Sequence, residues 1–105
     1  MNKTSFFVFL SLFAAIPAYG GDAEAGKTKA ALCAACHGPE GNKPLPATPR
    51  LAGQHYDYLV HSLKDYKTGE RKDPIMAPMA ANLSQQDMED LAAYFSEQKG
   101  LVVKY

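Results

Sequence analysis

The sequence predicts an all-α protein of three main helices separated by long loops. Three stretches, opening near Asp22, Gln54 and Ser84, carry apolar residues at spacings of three and four, the period of one face of a helix. Between them lie glycine and proline clusters that a helix does not run through: Gly38-Pro39-Glu40-Gly41 with Pro44, Pro46 and Pro49, and later Pro74 and Pro78. No alternation of apolar and polar residues is long enough for a strand, and there is no internal repeat or low-complexity segment.

Ahead of the first helix, residues 1–20 read as a cleavable secretory leader. Lys3 precedes the apolar run 6–16, and Pro17-Ala18-Tyr19-Gly20 ends it with small residues where a signal peptidase reads. The run is short for a bilayer span, which weighs against an uncleaved anchor. Cleavage after Gly20 leaves residues 21–105 as one exported domain, of a size that buries too little surface to be comfortable alone. The full chain has 11 basic and 11 acidic residues. Losing Lys3 leaves the remainder nearly neutral, and no basic stripe invites nucleic acid or a membrane surface.

In the first helix, Asp22 is a candidate N-cap and Glu24 suits the positive end of the helix dipole. Gly26, Ala30 and Cys33 fall on one face, so this helix delivers the stretch that follows to the interior. A glycine on that inner face costs about 1 kcal/mol relative to alanine, a cost that a close helix crossing would justify.

The stretch it delivers is Cys33-Ala34-Ala35-Cys36-His37. On a helix, positions i, i+3 and i+4 point the same way, which places two thiols and an imidazole within one turn. Two thiols so spaced add across the two vinyl groups of a porphyrin, and the imidazole beside the second reaches the iron, so C-x-x-C-H in an exported chain points to one covalently attached haem c. A redox dithiol needs an adjoining βαβ pattern, and a zinc site needs four ligands; neither is present in the sequence. A disulfide across two intervening residues constrains little of the unfolded chain. Haem also supplies the apolar body that so small a core lacks.

Residues 38–53 read as loop. The free Nδ1–H of an iron-ligating histidine ordinarily donates to a carboxylate or a backbone carbonyl, and the carbonyl of Pro49, or else of Pro46, is the candidate acceptor. A second helix covers residues 54–68, with Tyr56, Leu59, Leu63 and Tyr66 as its apolar stripe and Gly69 as its stop. His55 and His61 lie off that stripe and read as solvated rather than as ligands. Residues 70–83 read as a second loop, braced by Pro74 and Pro78 around Met76 and Met79. A thioether held opposite a histidine raises the haem potential and suits electron transfer, so one of these methionines is expected on the iron. The last helix opens with Ser84 as N-cap and Asp87 completing a capping box; Met88, Leu91, Ala92 and Phe95 form its inner face and Gly100 is expected to stop it. This helix is expected to pack against the first.

Taken together, Cys33-Ala34-Ala35-Cys36-His37-Gly38, Pro49-Arg50-Leu51-Ala52-Gly53-Gln54, Ile75-Met76-Ala77-Pro78-Met79 and the helix from Ser84 to Phe95 resemble a class I c-type cytochrome, of the cytochrome c553 type or one half of a dihaem cytochrome c4. The likeness covers essentially all of residues 21–105. It implies the class I cytochrome c fold, three main helices and loops wrapped around one haem, with the terminal helices crossing at a small residue. It implies that Cys33 and Cys36 hold the haem and that His37 is the proximal ligand. The distal methionine of such proteins stands eight positions before the capping serine, which is Met76 here; Met79 is the fallback. A cytochrome c4 carries a second C-x-x-C-H and this sequence has one, so the resemblance is to a single-haem module.

The function this implies is that of a soluble periplasmic electron carrier without enzymatic activity, meeting redox proteins of a respiratory or periplasmic chain. With His37 and Met76 filling both axial positions, no site is left open for substrate chemistry. The alternative is a haem c subunit bound permanently to a periplasmic oxidoreductase. A gas sensor or peroxidase requires the methionine to be absent or labile.

Overall fold

The computed structural model describes residues 20–100. The expected leader, apart from Gly20, and the tail 101–105 lie outside the described residues. Within them the chain is helical, without strands: α1 (Ala23–Lys29), a 3₁₀ turn (Ala30–Leu32), α2 (Ala34–His37), α3 (Tyr56–Thr68), α4 (Met76–Ala80) and α5 (Gln85–Ser96).

Asp22 caps α1, its carboxylate accepting from the Glu24 N–H at 2.9 Å. The first helix does not run unbroken into the cysteine motif, as its periodicity predicts. It tightens into the 3₁₀ turn, where the Cys33 N–H donates to the Ala30 carbonyl at 2.9 Å, and α2 restarts from Cys33. The second helix begins at Tyr56, two residues later than expected, and Gly69 closes it in the left-handed conformation.

The expected loop 70–83 contains α4, and the physical reason lies in its first turn. Pro78 is the third residue of α4, where the backbone N–H has no intrahelical partner, so proline removes no hydrogen bond there. Gly100 does not end the last helix. α5 stops at Ser96, its terminal carbonyls taken by the Gln98 side chain, donating to Tyr94 O at 2.9 Å, and by the Ser96 hydroxyl, donating to Ala93 O at 3.1 Å. Gly100 instead lies against the end of the first loop, where a methyl group would sit 2.9 Å from the Ala52 carbonyl oxygen. The capping box at Ser84 and Asp87 forms as predicted.

The core is where α1, α3 and α5 meet, with Ala30, Tyr56, Leu59, Leu91, Ala92 and Phe95 buried together. The crossing of α1 and α5 is set at Gly26, where an added methyl would stand 2.0 Å from the Asp90 carbonyl oxygen and 2.8 Å from Tyr94 Cβ. Only glycine lets the two backbones approach so closely. Beside it, the ammonium of Lys29 bridges Asp87, at 2.8 Å, and the buried Asp90, whose other oxygen accepts from the Asp22 N–H and the Gln86 amide. These contacts fix α1, and hence the cysteine motif at its far end, against α5.

Candidate haem site

His37 ends α2 and is buried, 4% exposed. Its Nδ1 lies 2.8 Å from the carbonyl oxygen of Pro49. A carbonyl only accepts, so Nδ1 carries the hydrogen and donates, which in a neutral ring leaves the Nε2 lone pair for a metal. Of the two carbonyls considered from the sequence, Pro49 is the one brought to His37.

The loop carrying Pro49 is held from several sides. Gly38 turns the chain away from α2 at φ +87°, a conformation open to glycine and strained for other residues. Beyond it, the Leu45 N–H donates to the Cys36 carbonyl at 2.9 Å, and the Leu51 N–H donates to the Gly41 carbonyl at 2.9 Å. The hydroxyl of Tyr94, on α5, donates to the Pro39 carbonyl at 2.9 Å. Ala47, two residues before Pro49, adopts φ +64°. Left-handed backbone costs a residue with a Cβ on the order of 1 kcal/mol, and it persists here because the surrounding bonds over-determine the loop.

Cys33 and Cys36 are free thiols, both half-buried, at the start and within α2. Burial pushes the Cys33 thiol up, and the neighbouring Cys36 adds to the shift. Both thiols would serve as the thioether attachments of a haem.

On the other side of the sequence motif pair, Met76 opens α4 and is half-buried, whereas Met79 is 44% exposed. The Asp73 carboxylate caps this turn, Oδ1 accepting from the Ile75 and Met76 N–H groups at 2.9 Å each; those two bonds hold its pKa below the ordinary carboxylate range. A recess of about 410 Å³ joins α4 to the segment before the cysteines, with Leu32, Pro78, Met79 and Leu83 among its lining. Met79 is one of its walls; Met76 is not.

These residues fit a porphyrin. Among the described residues no three His, Cys, Asp or Glu side chains are grouped to hold a bare metal ion. The buried His37 imidazole, donating from Nδ1, would present Nε2 to an iron whose other donors come with a macrocycle. Among the described residues no large side chain is fully buried, and Leu32, Leu45, Ile75 and Met79 stand exposed on the motif segment, the loop after it and the methionine segment. A flat apolar body is what such surfaces lack. His55, just before α3, and His61 within it are both exposed, His61 paired with Asp65 at 3.1 Å, and neither joins the site.

Sequence reasoning missed Asp73, the Tyr94 hydroxyl and the buried Asp90. Asp73 had a legible signal, since Asp-Pro is a turn initiator. The other two depend on which elements meet, and no local pattern encodes that.

The family model of cytochrome c matches residues 23–99. Cytochrome c4 of Pseudomonas aeruginosa is 46% identical over 100 residues, covering 94% of this chain and 50% of that protein. Cytochrome c-554(548) of Halomonas halodenitrificans is 46% identical over 82 residues, covering 75% of this chain and 99% of that protein. The crystal structure of reduced recombinant cytochrome c4 from Pseudomonas stutzeri matches with a TM-score of 0.73 and 52% identity, over 78% of this chain and 48% of the other. The chain thus spans about half the length of the cytochrome c4 relatives and corresponds to nearly all of the Halomonas protein. The chain belongs to the cytochrome c family, whose domain binds haem c covalently.

Proposed function

We propose that the chain is a monohaem electron carrier of the periplasm, with Cys33 and Cys36 as the thioether attachments, His37 as the proximal ligand and Met76 as the distal one. The observation that carries this reading is the bond from His37 Nδ1 to the Pro49 carbonyl, which orients the imidazole and leaves Nε2 to coordinate. The bound haem supplies a reversible one-electron iron couple. The polypeptide's part is to hold both axial side chains still, so that little rearranges when the charge changes. His37 is fixed by its ring bond and its burial, and Met76 by the turn that Asp73 caps.

Such a carrier turns over no substrate. Its partners are redox proteins that approach transiently, as electron-transfer pairs do. Met76 is preferred to Met79 because it is the less exposed of the two and stands eight residues before Ser84. A second reading, a haem c subunit of a periplasmic oxidoreductase complex, has its support in a relative from Stutzerimonas stutzeri, 42% identical over 72 residues, that is named a thiosulfate dehydrogenase electron acceptor.

The deciding experiment is the optical spectrum of the exported protein, oxidised and reduced, for wild type, Met76→Ala and Met79→Ala. The expected result is a long-wavelength ferric charge-transfer band of the methionine–iron kind in wild type and Met79→Ala, lost in Met76→Ala. Loss only in Met79→Ala keeps the carrier and moves the ligand. A wild type that lacks the band and binds carbon monoxide readily has an open sixth position and is not this carrier. Co-purification at fixed stoichiometry with a catalytic partner favours the second reading.

A further inference from the structure

Around Met76, three consecutive backbone amides end on a single residue. The Ile75 and Met76 N–H groups donate to Asp73 Oδ1 at 2.9 Å each, and the Ala77 N–H donates to the Asp73 carbonyl at 3.0 Å. The next residue, Pro78, has no N–H to place. Every backbone donor of the first turn of α4 is thus accounted for by Asp73 or absent. α4 is only five residues long, too short to persist by its own internal bonds.

From this we propose that Asp73 is the positioning residue of the distal ligand: its side-chain oxygen, as an acceptor, holds the turn that keeps the Met76 thioether in place. The inference rests on the reading of Met76 as axial ligand. Without the acceptor, the turn opens more often, and a ligand from solution displaces the methionine more easily. The apparent affinity of such a ligand equals its intrinsic affinity scaled by the fraction of molecules in which the turn is open.

The test is imidazole titration of the ferric holoprotein, followed by the methionine–iron band, for wild type, Asp73→Ala, Asp73→Asn, Ser84→Ala and Met76→Ala. Loss of an N-cap acceptor corresponds to roughly a fivefold shift in a local equilibrium, so Asp73→Ala should bind imidazole about five times more tightly. Asp73→Asn keeps an oxygen acceptor while losing the charge, and should stay within about twofold of wild type. Ser84→Ala removes a comparable cap from α5, a helix that carries no ligand, and should leave imidazole binding unchanged while lowering global stability. Asp73→Ala equal to wild type, Asp73→Asn equal to Asp73→Ala, or Ser84→Ala equal to Asp73→Ala each overturns the proposal. Met76→Ala separates the two readings. If it keeps the band, the ligand assignment has failed; if it loses the band while Asp73→Ala changes nothing, only the role of Asp73 has.

Discussion

The hydroxyl of Tyr94 donates to the carbonyl oxygen of Pro39 at 2.9 Å, joining the last helix to the loop that leaves His37. The same residue packs on the α1–α5 crossing, its Cβ being what a methyl at Gly26 would meet, and its ring meets that of Phe95 edge-on at 5.1 Å. Burial pushes the phenol up, with Glu40 contributing, so it stays a donor across neutral pH. Tyr94→Phe removes the bond and keeps the ring. Because Pro39 is exposed, water replaces the lost donor, and the cost should be about 0.5–1 kcal/mol. Urea unfolding of the holoprotein checks this; a loss above about 2 kcal/mol means that the hydroxyl does more than tie the loop.

Gly26→Ala tests the crossing itself. The added methyl meets backbone, the Asp90 carbonyl, at 2.0 Å, and backbone does not yield as a flexible side chain would. Overpacking a tight contact costs about 1–3 kcal/mol, and this site belongs at or beyond the upper end. Reduced thermal stability and a lower yield of haem-loaded protein are expected together, since α1 holds the cysteine motif in place. A variant as stable as wild type would show that α1 and α5 can move apart without loss.

The parts of the fold legible in the sequence are those encoded by neighbours. The stripe of α3, the inner face of α5, the Ser84–Asp87 capping box and the grouping of Cys33, Cys36 and His37 all follow from spacing along one helix. The Pro49 acceptor was reachable because a proline-rich loop after His37 has few backbone N–H groups of its own to occupy its carbonyls, so they are left to accept from outside the loop. α4 was hidden because Pro74 and Pro78 read as breakers, although a proline in a first turn breaks nothing. Gly100 read as a helix stop because glycine commonly is one, but here it is selected by the close approach of Ala52 and Gly53. Asp90 is a buried carboxylate on the inner face of α5, and the arrival of Lys29 and Asp22 from 61 and 68 positions away, beside the local Gln86 amide, explains it there.

That carboxylate cluster gives the protein a defined acid response. Lys29, hydrogen-bonded first to Asp87 and then to Asp90, has its pKa raised, while Asp87 is lowered from 3.8 to about 2 by Lys29 and by the Ser84 cap. For Asp90, burial pushes the carboxyl up, but Lys29, the Asp22 N–H and Gln86 together bring it below its ordinary value. A carboxylate whose folded pKa lies below its unfolded one binds fewer protons when folded. Its contribution is therefore complete above the unfolded pKa and is lost as pH falls through the folded one. For Asp87 that window runs from about pH 4 down to about pH 2. Stability of the haem-loaded protein should decline across it, and Lys29→Met should flatten the decline by returning Asp87 toward its ordinary value. Lys29 and Asp87 are each about one-third exposed, so added salt should flatten the wild-type profile in the same direction. Urea midpoints measured every half unit of pH, at low and high salt, provide the check. Parallel profiles for wild type and Lys29→Met would assign the acid response to other carboxylates.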